Sequence, residues 1–79
     1  MPTVFIFLGF RFYFFANDHE PIHIHIDKDG SHAKFNLFPN IKLVRNYGFK
    51  KSEIRIIETI IEENKEVIIE RWVEFFNNK

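Results

Sequence analysis

The stretch IHIHID at residues 22–27 alternates apolar and polar side chains without interruption. Because successive side chains of a β-strand point to opposite faces of the sheet, this alternation predicts a strand with three isoleucines on one face. His23, His25 and Asp27 are then predicted to share the other face, which we expect to be open to solvent. A core on one side and a polar surface on the other is typical of an antiparallel sheet.

Four further stretches have the β-branched and aromatic content of strands, namely residues 3–8, 10–15, 33–37 and 41–44. Asp29-Gly30 is a favoured hairpin dipeptide, and it predicts that residues 33–37 return antiparallel to the IHIHID strand. Pro39 ends that strand, and the short stretch after it is predicted to be an edge strand. We therefore expect a small sheet of four or five strands, antiparallel or mixed.

The chain changes character near Gly48, after which it has no Gly or Pro and its apolar residues recur at helical spacing. Ser52 is the predicted N-cap, and Glu53 in the first turn matches the helix dipole. Asn64 marks either a break between two helices or a solvated point in one long helix. The predicted helical stripe consists of Ile54, Ile57, Ile61, Ile68, Trp72, Phe75 and Phe76.

Strands followed by helices predict an α+β fold, in which a C-terminal helix or helix pair packs on one face of the sheet. The length of 79 residues predicts one domain, residues 1–79. We expect its strands at about residues 3–44 and its helical part at about residues 52–77.

The composition limits how so short a chain is stabilised and where it acts. Small domains often depend on a disulfide, a metal or a partner chain, and the absence of cysteine excludes the disulfide. The 11 phenylalanines exceed what a small core can hide, which favours an interface with a partner or a homodimer. The net charge of zero gives no general attraction to membranes or nucleic acids, and no apolar run is long enough to span a bilayer. We expect a cytoplasmic protein with no membrane contact.

The segment DHEPIHIHI, residues 18–26, concentrates histidines and carboxylates. His23 and His25 are two positions apart on the predicted strand, so their imidazoles lie about 6.6 Å apart along it and can point to one ligand. One hypothesis is a divalent metal site with nitrogen and oxygen ligands, for which His19, His23 and His25 are the first candidates. Asp18, Glu20 or Asp27 is the alternative to His19 as the ligand that completes the set.

The metal-free hypothesis is acid–base catalysis by the same segment, because histidine titrates near neutral pH. The candidate catalytic residues are Asp18, His19, His23 and His25. Asp18 is predicted to orient His19, and the alternative is that Asp27 orients His25. Arg11 and Lys34 are candidate supporting cations, since transfer at a phosphodiester needs a base, an acid and charge stabilisation.

The plainer interpretation is that the histidines are only the polar residues of a solvated strand face. One alternating histidine pair is a weak signal by itself. The adjacent acidic loop, ended by Pro21, strengthens it, because it places two carboxylates and a third histidine beside the pair. His32, which follows the predicted turn, is interpreted as turn surface.

The sequence resembles the DUF4160 family of small bacterial proteins over nearly its whole length. The matching segments are MPTVFIFLGFRFYFF, DHEPIHIHI, KDG, NYGF and IIEENKEVIIERW. The resemblance implies the toxin of a toxin–antitoxin pair, neutralised by a small antitoxin-like protein, with toxicity that depends on Asp18, His19, His23 and His25. The resemblance does not define the mechanism. The histidines favour a hydrolase or nuclease, and RNA is the candidate target. The alternative function is a non-catalytic protein-binding module with a pH-sensitive or metal-binding histidine face.

Overall fold

The computed structural model describes residues 3–77, which form a five-stranded sheet followed by two helices. The sheet is antiparallel throughout, and its strands are neighbours in chain order, β1-β2-β3-β4-β5. This confirms the predicted α+β class and resolves the sheet as purely antiparallel. The elements are β1 (Thr3–Phe7), β2 (Phe10–Tyr13), β3 (His23–Lys28), β4 (Ser31–Asn36), β5 (Lys42–Tyr47), α1 (Lys51–Glu63) and α2 (Lys65–Asn77).

Two tight turns set the register within the β1–β2 and β3–β4 hairpins. Leu8-Gly9 joins β1 to β2, and Asp29-Gly30 joins β3 to β4. All four residues have positive φ angles, as a two-residue turn of type I′ requires. The predicted turn at Asp29-Gly30 is therefore confirmed. It lets β3 and β4 pair residue by residue from the turn onwards.

The hydrophobic core lies between one face of the sheet and the helices. Ile24 and Ile26 are completely buried, as the alternation predicts, and Phe12 and Phe35 from the neighbouring strands are buried beside them. The helices contribute a stripe of apolar side chains at the predicted spacing. Its buried members are Ile57, Ile60, Ile61, Ile68 and Trp72.

The helical part consists of two helices, and Asn64 lies at the break between them. The predicted N-cap at Ser52 is wrong: α1 begins at Lys51, and Lys50 is its N-cap. The Glu53 carboxylate accepts the N–H of Lys50 at 2.9 Å, which satisfies a donor at the helix start without a serine cap. Within residues 3–77 no helix is long and apolar enough to cross a membrane.

The last strand is longer than the sequence predicts. We expected residues 41–44 to be followed by a turn, whereas β5 continues to Tyr47. Pairing with β4 extends it, since Lys34 pairs with Arg45 and His32 pairs with Tyr47. All six residues of β5 are exposed, so the predicted edge strand is a fully accessible one.

Candidate functional site

Polar side chains line up across the sheet on the face opposite Ile24 and Ile26. The antiparallel register pairs Tyr13 with His25, and His25 with Lys34. Paired residues of neighbouring strands project on the same side of a sheet, about 4.5–5.5 Å apart. A second row lies two residues further along β3 and consists of Arg11, Asp27 and His32. The alternation at residues 22–27 therefore correctly predicts which side chains share the polar face.

Asp18 connects the loop before β3 to both histidines of that strand. Its Oδ1 lies 3.2 Å from Nε2 of His23, and its Oδ2 lies 3.4 Å from Nε2 of His25. The carboxylate is fixed in place by the backbone N–H of Phe15, which donates to Oδ2 at 2.8 Å. Asp18, His23 and His25 thus form a three-residue group, hereafter the Asp18 cluster, whose candidate ligand atoms all lie within 4.8 Å of one another.

Asp18 is held in its ionised form. Burial opposes ionisation, but the hydrogen bond from Phe15 and the neighbouring His23 outweigh it and hold the pKa of Asp18 below its usual range. At neutral pH its oxygens are therefore hydrogen-bond acceptors only. A neighbouring imidazole can therefore contact Asp18 favourably in two ways. It can donate an N–H to the carboxylate, or it can bind the same cation as the carboxylate.

The orientation of His23 is set by the proline that precedes the strand. Nδ1 of His23 lies 2.8 Å from the carbonyl oxygen of Pro21. A carbonyl oxygen can only accept, so Nδ1 must carry the proton that is donated to it. In neutral His23 the lone pair of Nε2 then faces the carboxylate of Asp18.

His25 is enclosed by aromatic rings. Its ring centroid lies 4.5 Å from that of Phe15, 5.4 Å from Tyr13 and 5.5 Å from His32. Burial lowers the pKa of His25 to about 4, although the nearby Asp18 acts in the opposite direction. His25 is therefore neutral at pH 7, and neither of its ring nitrogens has a hydrogen-bond partner among residues 3–77.

Burial corrects one expectation about this face. His23 and His25 were predicted to lie on an open surface, but they are only 4% and 5% exposed. Phe15 and Tyr13 cover His25, and Trp72 of α2 packs against His23 with the ring centroids 5.1 Å apart. The alternation determines which face a side chain occupies, but it carries no information about what covers that face.

The loop histidine lies outside the cluster. His19 is exposed, and the group that could hold a metal contains Asp18, the predicted alternative to His19. The predicted pairing of Asp18 with His19 is therefore replaced by its contacts with His23 and His25. Glu20, which follows in the loop, accepts the indole N–H of Trp72 at 3.3 Å and ties the loop to α2.

A second carboxylate group lies beside the first. Oδ1 of Asp27 is 2.6 Å from Nδ1 of His32 and accepts the Tyr13 hydroxyl at 3.0 Å. Asp27 was predicted to orient His25, and His32 was interpreted as turn surface, so both assignments are corrected. The predicted supporting residue Arg11 stacks on the Tyr13 ring, with its Cζ 4.4 Å from the centroid. Lys34 lies beside His25 in the strand register.

The sequence contained a signal for this second group that the predictions did not use. A two-residue turn at Asp29-Gly30 pairs Lys28 with Ser31 and therefore pairs Asp27 with His32. The role of Tyr13 follows in the same way only when the register between β2 and β3 is known. That register has no tight turn to determine it, because the residues between the two strands form a loop.

The Asp18 cluster offers two kinds of chemistry. An ionised carboxylate beside imidazoles can orient a general base, which accepts a proton from a nucleophile. Two imidazoles and one carboxylate are also a ligand set for a transition metal. His23 and His25 each present Nε2 to Asp18. His25 can take either role, whereas His23, whose Nδ1 donates to Pro21, fits the role of a metal ligand.

Comparison with known proteins identifies a family but no characterised relative. No curated protein and no solved structure shows a significant match to the sequence. Residues 9–73 match the family described as a domain of unknown function, DUF4160, and this match covers most of the chain, including both carboxylate groups. The chain therefore belongs to the DUF4160 family.

Proposed function

We propose that this chain is the toxin of a bacterial toxin–antitoxin-like module, that it acts in the cytoplasm, and that a small partner protein neutralises it. The activity depends on the Asp18 cluster. The observation that carries the proposal is the convergence of two imidazole Nε2 atoms on one ionised carboxylate, at 3.2 and 3.4 Å. The hydrophobic core consists of apolar side chains from the other sheet face and the helices, and although Trp72 contacts His23, core packing does not require a carboxylate between two imidazoles.

The proposed reaction is hydrolysis, and the proposed target is RNA. Neutral His25 can accept a proton from an attacking hydroxyl, and Asp18 holds the imidazoles in position. Lys34 and Arg45 continue the His25 row across the sheet, since Lys34 pairs with both residues. Their charges support an anionic target, because transfer at a phosphodiester builds negative charge that cations stabilise.

Access to the cluster requires one side chain to move. Phe15 is half-buried, lies in the loop after β2 and packs edge-on against His25. Loop side chains rearrange more readily than those within strands. In the proposed mechanism the substrate displaces Phe15 and reaches His25 from the polar face.

The test is growth arrest after induction of the chain in a bacterial host. The parent is expected to arrest growth, and Asp18→Asn and His25→Gln to abolish the arrest. His19→Ala is the matched control, because His19 adjoins Asp18 in sequence but is exposed and lies outside the cluster. Circular dichroism of each purified variant establishes that it is folded. A non-toxic parent, or folded cluster variants as toxic as the parent, would refute the proposal.

A second candidate function is a non-catalytic binding module, and the exposed apolar surface favours it. Ile6, Phe7 and Leu8 at the β1–β2 turn are 66%, 52% and 61% exposed. Contiguous exposed apolar surface commonly marks a protein–protein contact, including contact between two copies of one chain. Size-exclusion chromatography of the parent and of Phe7→Ser, at pH 5 and pH 8, tests it. A monomeric parent that co-purifies with no partner in either condition would argue against this function.

A further inference from the structure

We propose that Asp18, His23 and His25 bind one divalent transition-metal ion of the zinc type, through a carboxylate oxygen and the two Nε2 atoms. The inference deepens the proposed function and rests on the same three side chains. It assigns a ligand to the cluster, whether or not the chain is toxic.

The distances within the cluster fit a shared ion better than direct hydrogen bonds. A charge-assisted N–H···O bond is about 2.7–2.9 Å long, whereas the two Nε2–Oδ separations are 3.2 and 3.4 Å. Zinc binds imidazole nitrogen and carboxylate oxygen at about 2.0–2.2 Å. Two such ligands on one four- to six-coordinate ion lie roughly 3.0–3.5 Å apart. The two Nε2–Oδ separations, one to each oxygen of Asp18, fall within that range, and all the candidate ligand atoms lie within 4.8 Å of one another.

The hydrogen bond of His23 to Pro21 directs its other ring nitrogen, Nε2, to the centre of the cluster. Nδ1 must donate to the Pro21 carbonyl, 2.8 Å away, so in the neutral ring Nε2 carries a lone pair. That lone pair faces Oδ1 of Asp18, which is an acceptor as well. Two acceptors in contact need a proton or a metal ion between them, and a metal ion would form a bond to each of them. A metal-bound histidine typically donates its other N–H to a carbonyl or carboxylate, as His23 does to Pro21.

His25 supplies an independent indication. Its side chain is only 6% exposed, and its Nε2 points to the same carboxylate without forming a hydrogen bond to any described residue. Buried polar atoms are nearly always paired, and one that is not calls for a specific explanation such as an ion. A metal at the centre of the cluster gives Nε2 of His25 the partner that the protein does not provide.

The ligand types decide which ions fit. Imidazole nitrogen suits zinc, iron, nickel and copper, whereas magnesium and calcium prefer all-oxygen sites. The chain has no cysteine that could compete for a soft metal. Three protein ligands leave at least one coordination position for water or substrate, which is the arrangement of hydrolytic zinc sites. A bound ion would occupy Nε2 of His25, so it would take the place of His25 as the group that activates the nucleophile in the proposed hydrolysis.

The test is calorimetric titration of the purified, chelator-treated full chain with Zn²⁺, and with Mg²⁺ for comparison. One Zn²⁺ per chain is expected, with no binding of Mg²⁺ in the same concentration range. Asp18→Asn and His23→Gln are expected to weaken Zn²⁺ binding by about 100-fold or more, since even indirect supporting partners contribute roughly 10–100-fold. The matched controls His19→Ala and Asp29→Asn, which remove an exposed histidine and an exposed carboxylate outside the cluster, are expected to bind as the parent does.

A measurement on the parent keeps the test decisive if a cluster variant does not fold. Zn²⁺ is expected to shift the ring-nitrogen NMR signals of His23 and His25 most strongly, those of the stacked His32 less, and to leave those of His19 unchanged. Absence of Zn²⁺ binding by the parent, shifts confined to His19 or His32, or equal affinity in folded cluster variants would each overturn the inference.

The two proposals fail separately. If the parent binds Zn²⁺ through the cluster but does not arrest growth, the toxin assignment falls and the metal site stands. If growth arrest depends on Asp18 but the parent binds no Zn²⁺, the metal site falls and the toxin assignment stands.

Discussion

Asp27 and His32 meet across the β3–β4 hairpin, where Oδ1 of the carboxylate lies 2.6 Å from Nδ1 of the ring. The same oxygen accepts the hydroxyl of Tyr13 from β2. One carboxylate therefore connects three neighbouring strands, and it does so next to the Asp18 cluster, because Tyr13 and His32 both stack on His25. We expect this second group to support the position of His25.

Removal of the Tyr13 hydroxyl is expected to destabilise the fold. Tyr13→Phe keeps the buried ring and deletes its hydrogen bond to Asp27, so the free energy of unfolding should fall by about 1 kcal/mol. Urea unfolding measures it. The control is Tyr47→Phe, because Tyr47 is 64% exposed and its substitution should change stability by less than about 0.5 kcal/mol. Equal effects of the two substitutions would contradict the structural role of the Tyr13–Asp27 bond.

Tyr13 should ionise late in an alkaline titration. Its burial and its hydrogen bond to the Asp27 carboxylate raise the pKa of Tyr13 to about 12. In the unfolded chain the Tyr13 hydroxyl has its ordinary pKa of about 10, so it holds the proton less tightly. The contribution of this proton to the free energy of unfolding is therefore fully present below about pH 10 and is lost as the pH rises to about 12. Ultraviolet absorption of tyrosinate in Tyr47→Phe, in which Tyr13 is the remaining tyrosine, follows the ionisation. Adding Asp27→Asn should lower the pH at which half of Tyr13 is ionised. An unchanged value would exclude Asp27 as a cause of the raised pKa of Tyr13.

Neighbouring isoleucines of α1 should differ sharply in their contribution to stability. Ile57 is completely buried, whereas Ile56 is 43% exposed. Ile57→Ala should lower the free energy of unfolding by about 2–5 kcal/mol, because it leaves a cavity in the core. Ile56→Ala should cost less than about 1 kcal/mol. Comparable losses in urea unfolding would mean that α1 does not pack on the sheet through Ile57.

A side chain at Gly48 should be tolerated less well than one at Gly30. Both glycines have positive φ, so an alanine at either carries backbone strain of about 1–3 kcal/mol. A Cβ at Gly48 would also lie 2.6 Å from Oγ of Ser31, whereas at Gly30 nothing lies within 4 Å. Thermal unfolding should therefore show a lower Tm for Gly48→Ala than for Gly30→Ala. Adding Ser31→Ala to Gly48→Ala should raise its Tm part of the way to that of Gly30→Ala. If the Tm does not rise, backbone strain alone accounts for the loss.

The sequence was sufficient for the features that depend on local periodicity. Alternation at residues 22–27 determined that Ile24 and Ile26 face the core while His23 and His25 face the other side, because strand geometry leaves no other arrangement. Asp29-Gly30 determined the β3–β4 hairpin, since both residues can adopt positive φ. The apolar stripe determined which side of the helices is buried.

Only the tertiary structure decided how these features combine. It brings Asp18 to His23 and His25 and leaves His19 exposed, because the loop is fixed by distant contacts, including the bond from Trp72 to Glu20. Periodicity assigns a side chain to a face. Whether that face is open or covered depends on groups elsewhere in the chain, and here the rings of Phe15 and Tyr13 bury the histidine that the sequence placed at the surface.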